Sequence, residues 1–422
     1  MSEPIEIRPV SGIHASVRVP GSKSYTQRAL IIASLAEGKS FLRGPLISED
    51  TEYLSEALRV LGADILLSGQ DLAITGTGGR LSPPGRPIYL GNNGTAARFL
   101  LGMVSLGNGD YHLSGSSRLC QRPVKPLLDA LLSLGGSFTC EGEQGFLPLT
   151  VHARGIRGGQ AAFADAESSQ YISSLLICSP FASGDVEIMV RGSLASRPYV
   201  NLTLKTMKDF GVSAERVGEN RFRVRSGQRY CGTDYAVEGD ASSASYFFLA
   251  AALSRGSVRV SPLTRDTLQG DGNFLTLLEK LGCTVSSRES WVEVKGNPLR
   301  AGEFVFDMGD IPDMVPTLAV LSAVRPGRTV IRNVAHLRIK ESNRLEALAR
   351  ELAKTGIRVE EREDGLVIEG GRPRGAEIET YDDHRIAMSF AVLGLAVPGM
   401  RIRNGSCVGK SFPGFWKELG KL

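Results

Sequence analysis

The segment PGSKSYTQRAL, residues 20–30, contains a turn that leads directly into a helix. Pro20 and Gly21 form the turn, Ser22 can cap the first amides, as can Ser24, and apolar residues recur at helical spacing until Gly38. Counting back seven residues from Leu30 places Lys23 at the start of the helix, where its ammonium and the free amides could both contact an anion. A solvated lysine beside an ordinary cap is the simpler interpretation of this segment taken alone.

Two sets of helix boundaries recur along the chain. Helix starts rich in small, hydroxyl or acidic residues lie at Ser24, Thr95, Ser168, Ser242, Asp313 and Asp383. Glycines that end other helices lie at Gly62, Gly135, Gly211, Gly282 and Gly356. Both sets recur at intervals of 70 to 76 residues. Because each boundary has its own physical cause, the shared period predicts about six copies of one unit.

The first copy shows what the unit contains. The segment ISEDTEYLSEALRVLG begins with Ser48 as a cap, buries Leu54 and Leu58 at helical spacing, and ends at Gly62. The runs ADILLS and LAITG then predict a hairpin. The predicted unit is therefore strand, helix, strand, helix, strand, strand. Six such units exceed one core, so we expect two domains of three units each.

Composition is typical of a globular enzyme. The chain has 422 residues, 42% of them hydrophobic, and a net charge of +4. No apolar run approaches the length of a membrane span and the N-terminus lacks a signal region, so we expect a cytoplasmic protein. The six cysteines are scattered, without the paired spacing of a zinc site, which favours free thiols and no structural metal.

The positions of the positively charged residues are more informative than the net charge of the chain. They lie at helix starts or in neighbouring loops, without interleaved aromatic residues to stack on bases. The positions are Lys23, Arg28, Arg98, Arg122, Arg197, Arg338, Lys340, Arg344, Arg385 and Lys410. This arrangement predicts local pockets for small anions.

Four segments carry further candidate groups, each with a simpler structural alternative. Glu341 is expected on the inward face at the start of a helix, surrounded by Arg338, Lys340 and Arg344, although local ion pairs explain part of this pattern. The other candidates could equally serve as caps or structural donors. They are Asp313, the run Ser168, Ser169 and Gln170, and His384.

Ten motifs together resemble one family. In order they are PGSKSYTQRAL, LGNNGTAARF, CQRPVKPL, SSQYISSLL, SRPYV, EGDASSASYF, IPDMVP, RIKESNRL, YDDHRIAMSF and GKSFPGFW. The order and content resemble the 3-phosphoshikimate 1-carboxyvinyltransferases, or EPSP synthases, over nearly the whole chain. The GKS at residues 409–411 is not a P-loop, because the required earlier glycine is missing.

The resemblance implies an α/β (α+β) fold of two domains, each three βαβαββ repeats in an inside-out α/β barrel, with the active site in the cleft between them. One domain would comprise residues 1–19 and 239–422, and the other residues 20–238. The implied reaction transfers the enolpyruvyl group of phosphoenolpyruvate to the 5-hydroxyl of shikimate 3-phosphate by addition and elimination, in aromatic amino-acid biosynthesis. No metal or organic cofactor is implied. We expect a monomer with small anionic substrates and neither a nucleic acid nor a membrane partner.

The resemblance also implies roles for individual residues. The catalytic residues would be Lys23, Asp313 as the base for the attacking hydroxyl, and Glu341 as the proton donor to C3. The phosphoenolpyruvate site would comprise Lys23, Gly94, Arg122, Gln170, Arg344, Arg385 and Lys410. The shikimate 3-phosphate site would comprise Ser24, Arg28, Ser168, Ser169, Gln170, Ser196, Tyr199, Asp313 and Lys340.

Three departures from the family pattern concern the same sites. Asn93 replaces a common alanine, Phe99 a common proline, and His336 a common asparagine. Gly94 favours inhibition by glyphosate, whereas Asn93 and Phe99 leave that sensitivity open.

Two alternative functions remain from sequence. A UDP-N-acetylglucosamine enolpyruvyl transferase would carry a cysteine where Ser117 stands, and Cys120 is too close to Arg122 to replace it. A nucleic-acid-binding repeat protein would explain the basic pI of about 8.7.

Overall fold

The computed structural model describes residues 3–422. They form two compact units, each with its own hydrophobic core. Gly21–Val237 form the inserted unit, while residues 3–20 and Glu238–Leu422 form the discontinuous unit.

The elements of the chain follow one another in this order. The N-terminal segment of the discontinuous unit contributes β1 (Ile5–Glu6) and β2 (His14–Arg18). The inserted unit contains α1 (Lys23–Leu35), β3 (Lys39–Arg43), α2 (Glu49–Val60), β4 (Asp64–Ser68), β5 (Asp71–Thr75), β6 (Ile88–Tyr89), α3 (Gly94–Val104), β7 (Asn108–Ser114), α4 (Ser117–Cys120), α5 (Lys125–Ser133), β8 (Phe138–Cys140), β9 (Leu149–Arg154), β10 (Gly159–Phe163), α6 (Ser169–Cys178), β11 (Val186–Val190), α7 (Pro198–Asp209), β12 (Ala214–Arg216), β13 (Arg221–Val224) and β14 (Asp234–Ala236).

The discontinuous unit then resumes. It contains α8 (Ala241–Ser254), β15 (Ser257–Ser261), α9 (Phe274–Lys280), β16 (Thr284–Arg288), β17 (Trp291–Lys295), β18 (Phe304–Asp307), α10 (Val315–Val324), β19 (Gly327–Arg332), α11 (Arg344–Lys354), β20 (Arg358–Arg362), β21 (Gly365–Gly370), β22 (Glu377–Ile378), α12 (His384–Gly394), β23 (Arg401–Ile402) and α13 (Phe415–Leu419). Short 3-10 helices at Gly270–Asn273, Pro312–Met314, Ala335–Ile339 and Gly405–Lys410 carry candidate site residues or lie beside them.

The sheets repeat one strand order. In the inserted unit the orders are β14-β3-β5-β4, β6-β7-β9-β8 and β10-β11-β13-β12. In the discontinuous unit they are β16-β17-β15-β2, β18-β19-β21-β20 and the three-stranded β1-β23-β22. In each four-stranded sheet one pair is parallel and the remaining pairs are antiparallel. The predicted α/β fold built from βαβαββ units is thereby confirmed.

Three sheets take one strand from a distant part of the chain. β14 lies parallel to β3, with Tyr235 opposite Leu42, so the end of the inserted unit completes its first sheet. β2 lies parallel to β15, with Ala15 opposite Val258. β1 pairs with β23, so the N-terminal strand also completes the last sheet of the discontinuous unit.

Each of the six repeats contains one buried helix, and five of them also contain one amphipathic helix. The buried set is α1, α3, α6, α8, α10 and α12, in which almost every side chain is buried. A helix that is apolar on all sides belongs in a core, so these six pack inside their units. The amphipathic helices α2, α5, α7, α9 and α11 cover them.

The five predicted terminal glycines follow the amphipathic helices as expected. Each lies two residues after the helix, with φ between +84° and +111°. Only glycine adopts this left-handed conformation without strain, so it lets the chain turn away at these points. The first buried helix differs from expectation, because α1 ends at Leu35, three residues before Gly38.

We expect Arg325, at the end of α10, to contribute strongly to the stability of the discontinuous unit. Its side chain is fully buried, and its Nη atoms donate to the carbonyl oxygens of Arg300, Gly302 and Arg328 at 2.7–3.0 Å. Arg325→Met should lower the free energy of unfolding by about 3 kcal/mol, because buried carbonyls would lose their donors. Urea unfolding followed by circular dichroism measures this loss.

The matched control is Arg328→Met, which removes a half-exposed side chain paired with Glu303 at 3.2 Å. Such surface pairs contribute up to about 1 kcal/mol. Equal losses in the two variants would contradict the role assigned to Arg325.

Candidate functional site

The starts of three helices are joined in the inserted unit by Asp50. Lys23 is the first residue of α1, and its Nζ lies 3.2 Å from Asp50 Oδ2 in the first turn of α2. The carbonyl oxygen of Asp50 accepts a hydrogen bond from Asn93 Nδ2 at 2.6 Å. Asn93 in turn caps α3 by accepting from the amide of Ala96 at 2.9 Å. The residue that departs from the family pattern therefore has a structural role at this helix start.

Gly94 leaves space for a guanidinium group. A Cβ atom at this position would lie 2.4 Å from Arg122 Nη2 and 2.6 Å from Arg98 Nη1. Arg122 is buried and donates to the carbonyl oxygen of Asn92 at 3.4 Å, whereas Arg98 donates to the carbonyl oxygens of Gly94 and Pro123. Two cations thus lie against the first turn of α3.

Arg28 is a buried cation bound by neutral acceptors. Its guanidinium donates to Thr203 Oγ1 at 2.6 Å, to Ser173 Oγ at 3.3 Å and to the carbonyl oxygens of Ser24 and Tyr199. Burial lowers the pKa of Arg28 to about 10, so the group stays charged at neutral pH. Within residues 3–422, Arg28 forms no ion pair with a carboxylate.

An aromatic ring also contacts Arg28. Its guanidinium carbon lies 5.1 Å from the centre of the Phe99 ring, within cation–π distance. The second departure from the family pattern therefore packs directly against a candidate ligand of shikimate 3-phosphate.

The remaining candidates of the inserted unit lie around α6 and α7. Ser168 caps α6 by accepting from the amide of Gln170 at 3.3 Å, and Ser169 is the first residue of that helix. Gln170 Nε2 donates to Thr95 Oγ1 at 2.9 Å, which joins α6 to α3. Ser196 has φ of +57° in the loop before α7. A non-glycine residue in this conformation is strained, which is more common at functional sites.

In the discontinuous unit, Arg344 holds three carboxylates. Its Nη1 lies 2.8 Å from Asp313 Oδ1, its Nη2 lies 2.9 Å from Glu341 Oε2, and its Nε lies 2.8 Å from Asp383 Oδ2. Only 1% of the Arg344 side chain is exposed. The planar guanidinium therefore fixes the relative positions of the two proposed proton-transfer groups, Asp313 and Glu341.

A second arginine binds Asp313. Arg385 Nη2 lies 2.7 Å from Asp313 Oδ2, so each carboxylate oxygen has its own guanidinium partner. Burial raises the pKa of Asp313, but the charges of Arg385, Arg344 and Lys340 outweigh it and hold that pKa well below its usual range. Asp313 is thus ionised at neutral pH.

The discontinuous unit contains three further candidate cations besides Arg344 and Arg385. Lys340 follows the 3-10 helix Ala335–Ile339, and Lys410 ends the buried 3-10 helix Gly405–Lys410, which packs against α12. Arg338 pairs with Glu361 and with the main chain of the β20–β21 hairpin.

His336 departs from the family pattern within this region. Burial, followed by the charge of Lys340, lowers the pKa of its imidazole to about 4. The ring is therefore neutral at neutral pH. Its Nε2 has no hydrogen-bond partner in the part of the chain that the structure describes.

Two local expectations were wrong. Glu341 lies in the loop before α11, not on the helix, because the helix begins at Arg344 and is capped by Asn343. Asp313 is not an N-cap, since it lies within the 3-10 helix Pro312–Met314 that continues into α10. In both cases Arg344 binds the carboxylate.

Two acidic residues of these clusters, and a third that is buried beside α8, are absent from the sequence-predicted set. Asp50 and Asp383 follow from helix-start signals, because each lies in the first turn or at the cap of a helix. Asp271 in the 3-10 helix Gly270–Asn273 carries no comparable signal. Asp271 is notable because it is buried, and apolar periodicity in the sequence does not predict burial in so short a segment.

No cluster of three or more histidine, cysteine, aspartate or glutamate side chains suited to a metal occurs in residues 3–422. All six cysteines are free thiols. Among the helices described above, none combines the length and apolar character needed to cross a bilayer.

Comparisons with known proteins agree with the motif resemblance. The sequence profile of the family described as EPSP synthase (3-phosphoshikimate 1-carboxyvinyltransferase) matches residues 7–419. The 3-phosphoshikimate 1-carboxyvinyltransferase of Syntrophobacter fumaroxidans is 45% identical over 419 residues, covering 99% of both chains. That of Nostoc punctiforme is 43% identical, covering 97% of this chain and 96% of the relative.

A solved structure agrees as well. The EPSP synthase of Acinetobacter baumannii superposes with a TM-score of 0.83 at 28% identity, covering 99% of this chain and 98% of the other. With the profile match and the identities, the predicted resemblance is confirmed. The chain belongs to the EPSP synthase (3-phosphoshikimate 1-carboxyvinyltransferase) family.

Proposed function

We propose that this chain transfers the enolpyruvyl group of phosphoenolpyruvate to the 5-hydroxyl of shikimate 3-phosphate, releasing phosphate. The observation that carries the proposal is the binding of Asp313 and Glu341 to one buried guanidinium, that of Arg344. An addition followed by an elimination needs one group to remove a proton and another to supply one. Asp313 removes the proton of the attacking hydroxyl, and Glu341 donates a proton to C3 of phosphoenolpyruvate.

The cations stabilise negative charge on the two substrates. Arg28, which is buried without a carboxylate partner among the described residues, supports binding of an anionic group of shikimate 3-phosphate. We assign Ser24, Ser168, Ser169, Ser196, Tyr199 and Lys340 to the same substrate. We assign Lys23, Gly94, Arg122, Gln170, Arg344, Arg385 and Lys410 to phosphoenolpyruvate. Fixed cations stabilise the charge that develops on the leaving phosphate.

The proposal includes the finer expectations from sequence. The domains have the boundaries 1–19 plus 239–422 and 20–238, which differ by one residue at each crossing from those of the compact units. The chain acts as a cytoplasmic monomer, without metal, organic cofactor or nucleic acid. Gly94 favours inhibition by glyphosate, whereas Asn93 and Phe99 leave that sensitivity open.

A phosphate-release assay tests the reaction itself. Phosphoenolpyruvate with shikimate 3-phosphate should yield phosphate and a new enol ether, detected by mass spectrometry. Phosphoenolpyruvate with UDP-N-acetylglucosamine should yield neither product. Turnover of the nucleotide sugar alone would refute the proposed acceptor.

The role of Glu341 is tested by Glu341→Gln. The amide keeps an acceptor for Arg344 but donates no acidic proton, so kcat should fall by at least about 100-fold. Steady-state kinetics with both substrates measures the change. The control is Glu346→Gln on α11, where the carboxylate pairs with Arg350 at the surface. A kcat for Glu341→Gln close to that of the control would remove Glu341 from the catalytic residues.

The space at Gly94 is tested by Gly94→Ala. The added Cβ would displace Arg122 Nη2, so the KM for phosphoenolpyruvate should rise about tenfold while the KM for shikimate 3-phosphate changes little. Steady-state kinetics at saturating second substrate separates the two constants. Gly85→Ala is the matched control, because a Cβ there meets no atom within 4 Å. Unchanged KM values in Gly94→Ala would argue against phosphoenolpyruvate binding at Arg122.

A further inference from the structure

Asp271 is a buried carboxyl group that the proposed mechanism does not use. It lies in the 3-10 helix Gly270–Asn273, which packs against the start of α8. Gln269 holds this segment in place, because its Oε1 accepts from the amide of Ala241 at 3.1 Å and its Nε2 donates to the carbonyl oxygen of Gly239 at 2.7 Å. These bonds attach the segment that carries Asp271 to the start of α8.

The Asp271 carboxyl group has unequal partners for its two oxygens. Oδ2 accepts a hydrogen bond from Ser242 Oγ in the first turn of α8. Oδ1 is buried and has no hydrogen-bond partner among the described residues. Only 2% of the residue is exposed. An ionised carboxylate with an unsatisfied buried oxygen is costly, so the surroundings favour the protonated form.

The charged groups that face Asp271 come from several elements. Asp240 caps α8, Asp313 lies in the 3-10 helix Pro312–Met314, and Arg385 lies in the first turn of α12. On α9, which packs against the same segment, Glu279 pairs with Arg265 and Lys280 is exposed.

These groups act on the acidity of Asp271 in opposite directions. Burial, followed by the charge of Asp313, raises the pKa of Asp271 to about 6, although Arg385 and Ser242 lower it. The carboxyl therefore changes charge close to neutral pH, unlike an exposed aspartate. Arg385 is attracted by both carboxylates, and in the structure it is bound to Asp313.

We propose that Asp271 is a positioning residue for the reaction, a buried carboxyl group whose ionisation makes Asp313 a stronger base. The proposal rests on the proposed function, in which Asp313 accepts the proton of the attacking hydroxyl. Its own basis is geometric: Asp271 is a buried, half-satisfied carboxyl group bound to the first turn of α8, and α8 also contacts the 3-10 helix that carries Asp313 and the helix α12 that carries Arg385.

Asp313 needs such an influence because its cations weaken it as a base. Arg385, Arg344 and Lys340 together hold the pKa of Asp313 well below its usual range, even though burial raises it. A negative charge on Asp271 repels the charge of Asp313 and attracts Arg385, and both effects favour proton uptake by Asp313. Turnover should therefore rise with pH as Asp271 ionises.

Three variants test the coupling in the full-length protein. Asp271→Asn is isosteric and permanently neutral, Ser242→Ala removes the donor to the ionised form, and Asp266→Asn replaces an exposed carboxylate nearby as the control. For each protein, kcat and KM for both substrates are measured from about pH 5 to about pH 9.

The expected pH profiles differ among the variants. The parent chain and Asp266→Asn should lose kcat on the acid side, with a midpoint of about 6. Asp271→Asn should lack this transition and show a kcat about tenfold lower above about pH 7, since Asp313 stays the weaker base. Ser242→Ala should shift the transition to higher pH, because the ionised form loses a hydrogen bond. An unchanged acid transition in Asp271→Asn would overturn the proposal.

A stability measurement tests the titration of Asp271 without any substrate. Its pKa is raised by folding from the ordinary 3.8 to about 6, so the folded chain binds this proton more tightly. The resulting stabilisation is fully present below about pH 3.8 and is lost as the pH rises through about 6. The free energy of unfolding of the parent chain minus that of Asp271→Asn should therefore fall across this window.

The outcomes of the two measurements can be separated. The control compares the free energy of unfolding of the parent chain with that of Asp266→Asn. This difference should change much less between about pH 3.8 and about pH 6, because the Asp266 carboxylate is exposed. If the free energy of unfolding of the parent chain minus that of Asp271→Asn does not change with pH, the proposal is overturned. If this stability difference falls with rising pH but the parent chain shows no turnover, the proposed function is refuted and the titration of Asp271 is supported.

Discussion

A helix that is buried on every side can present only its ends to solvent or to a ligand. This constraint governs both units, because each is built around three such helices, and the amphipathic helices and sheets enclose them. The first amides of a helix have no partners within it and carry a partial positive charge. Candidate ligands of anions therefore collect at the helix starts, where Lys23, Gly94, Ser169 and Arg385 stand.

The buried arginines Arg28, Arg344 and Arg385 have different kinds of partners. In the discontinuous unit, Arg344 and Arg385 are paired with carboxylates, and the ion pairs hold Asp313 and Glu341 at defined positions. In the inserted unit, Arg28 is bound by hydroxyl and carbonyl oxygens, which satisfy its donors without neutralising its charge. The first arrangement suits proton transfer, and the second suits binding of an anion. The difference in partners thus supports different roles in the proposed reaction, with Arg344 and Arg385 positioning the proton-transfer groups and Arg28 binding an anion.

Departures from the family pattern have local physical explanations. Asn93 supplies a cap for α3 and a bond to the carbonyl oxygen of Asp50, both of which an alanine would lack. Phe99 places a ring near the buried Arg28 guanidinium, where a cation–π contact offsets part of its desolvation. His336 is neutral at neutral pH, so it adds a polar group without adding charge to a site already rich in cations. These substitutions change the surroundings of the candidate ligands and leave the ligands themselves in place.

The sequence by itself determined the repeated unit, the helix boundaries and most candidate residues, because caps, terminal glycines and apolar periodicity act within a few residues. The terminal glycines of the amphipathic helices and the hairpin of β4 and β5 are examples. Only the tertiary structure decided which distant groups meet. The pairings of β14 with β3 and of β2 with β15 join remote segments, as does the contact of Arg344 with Asp313 and Asp383. The acidity of Asp271 likewise depends on burial and on charges from other elements, and no local pattern encodes those distances.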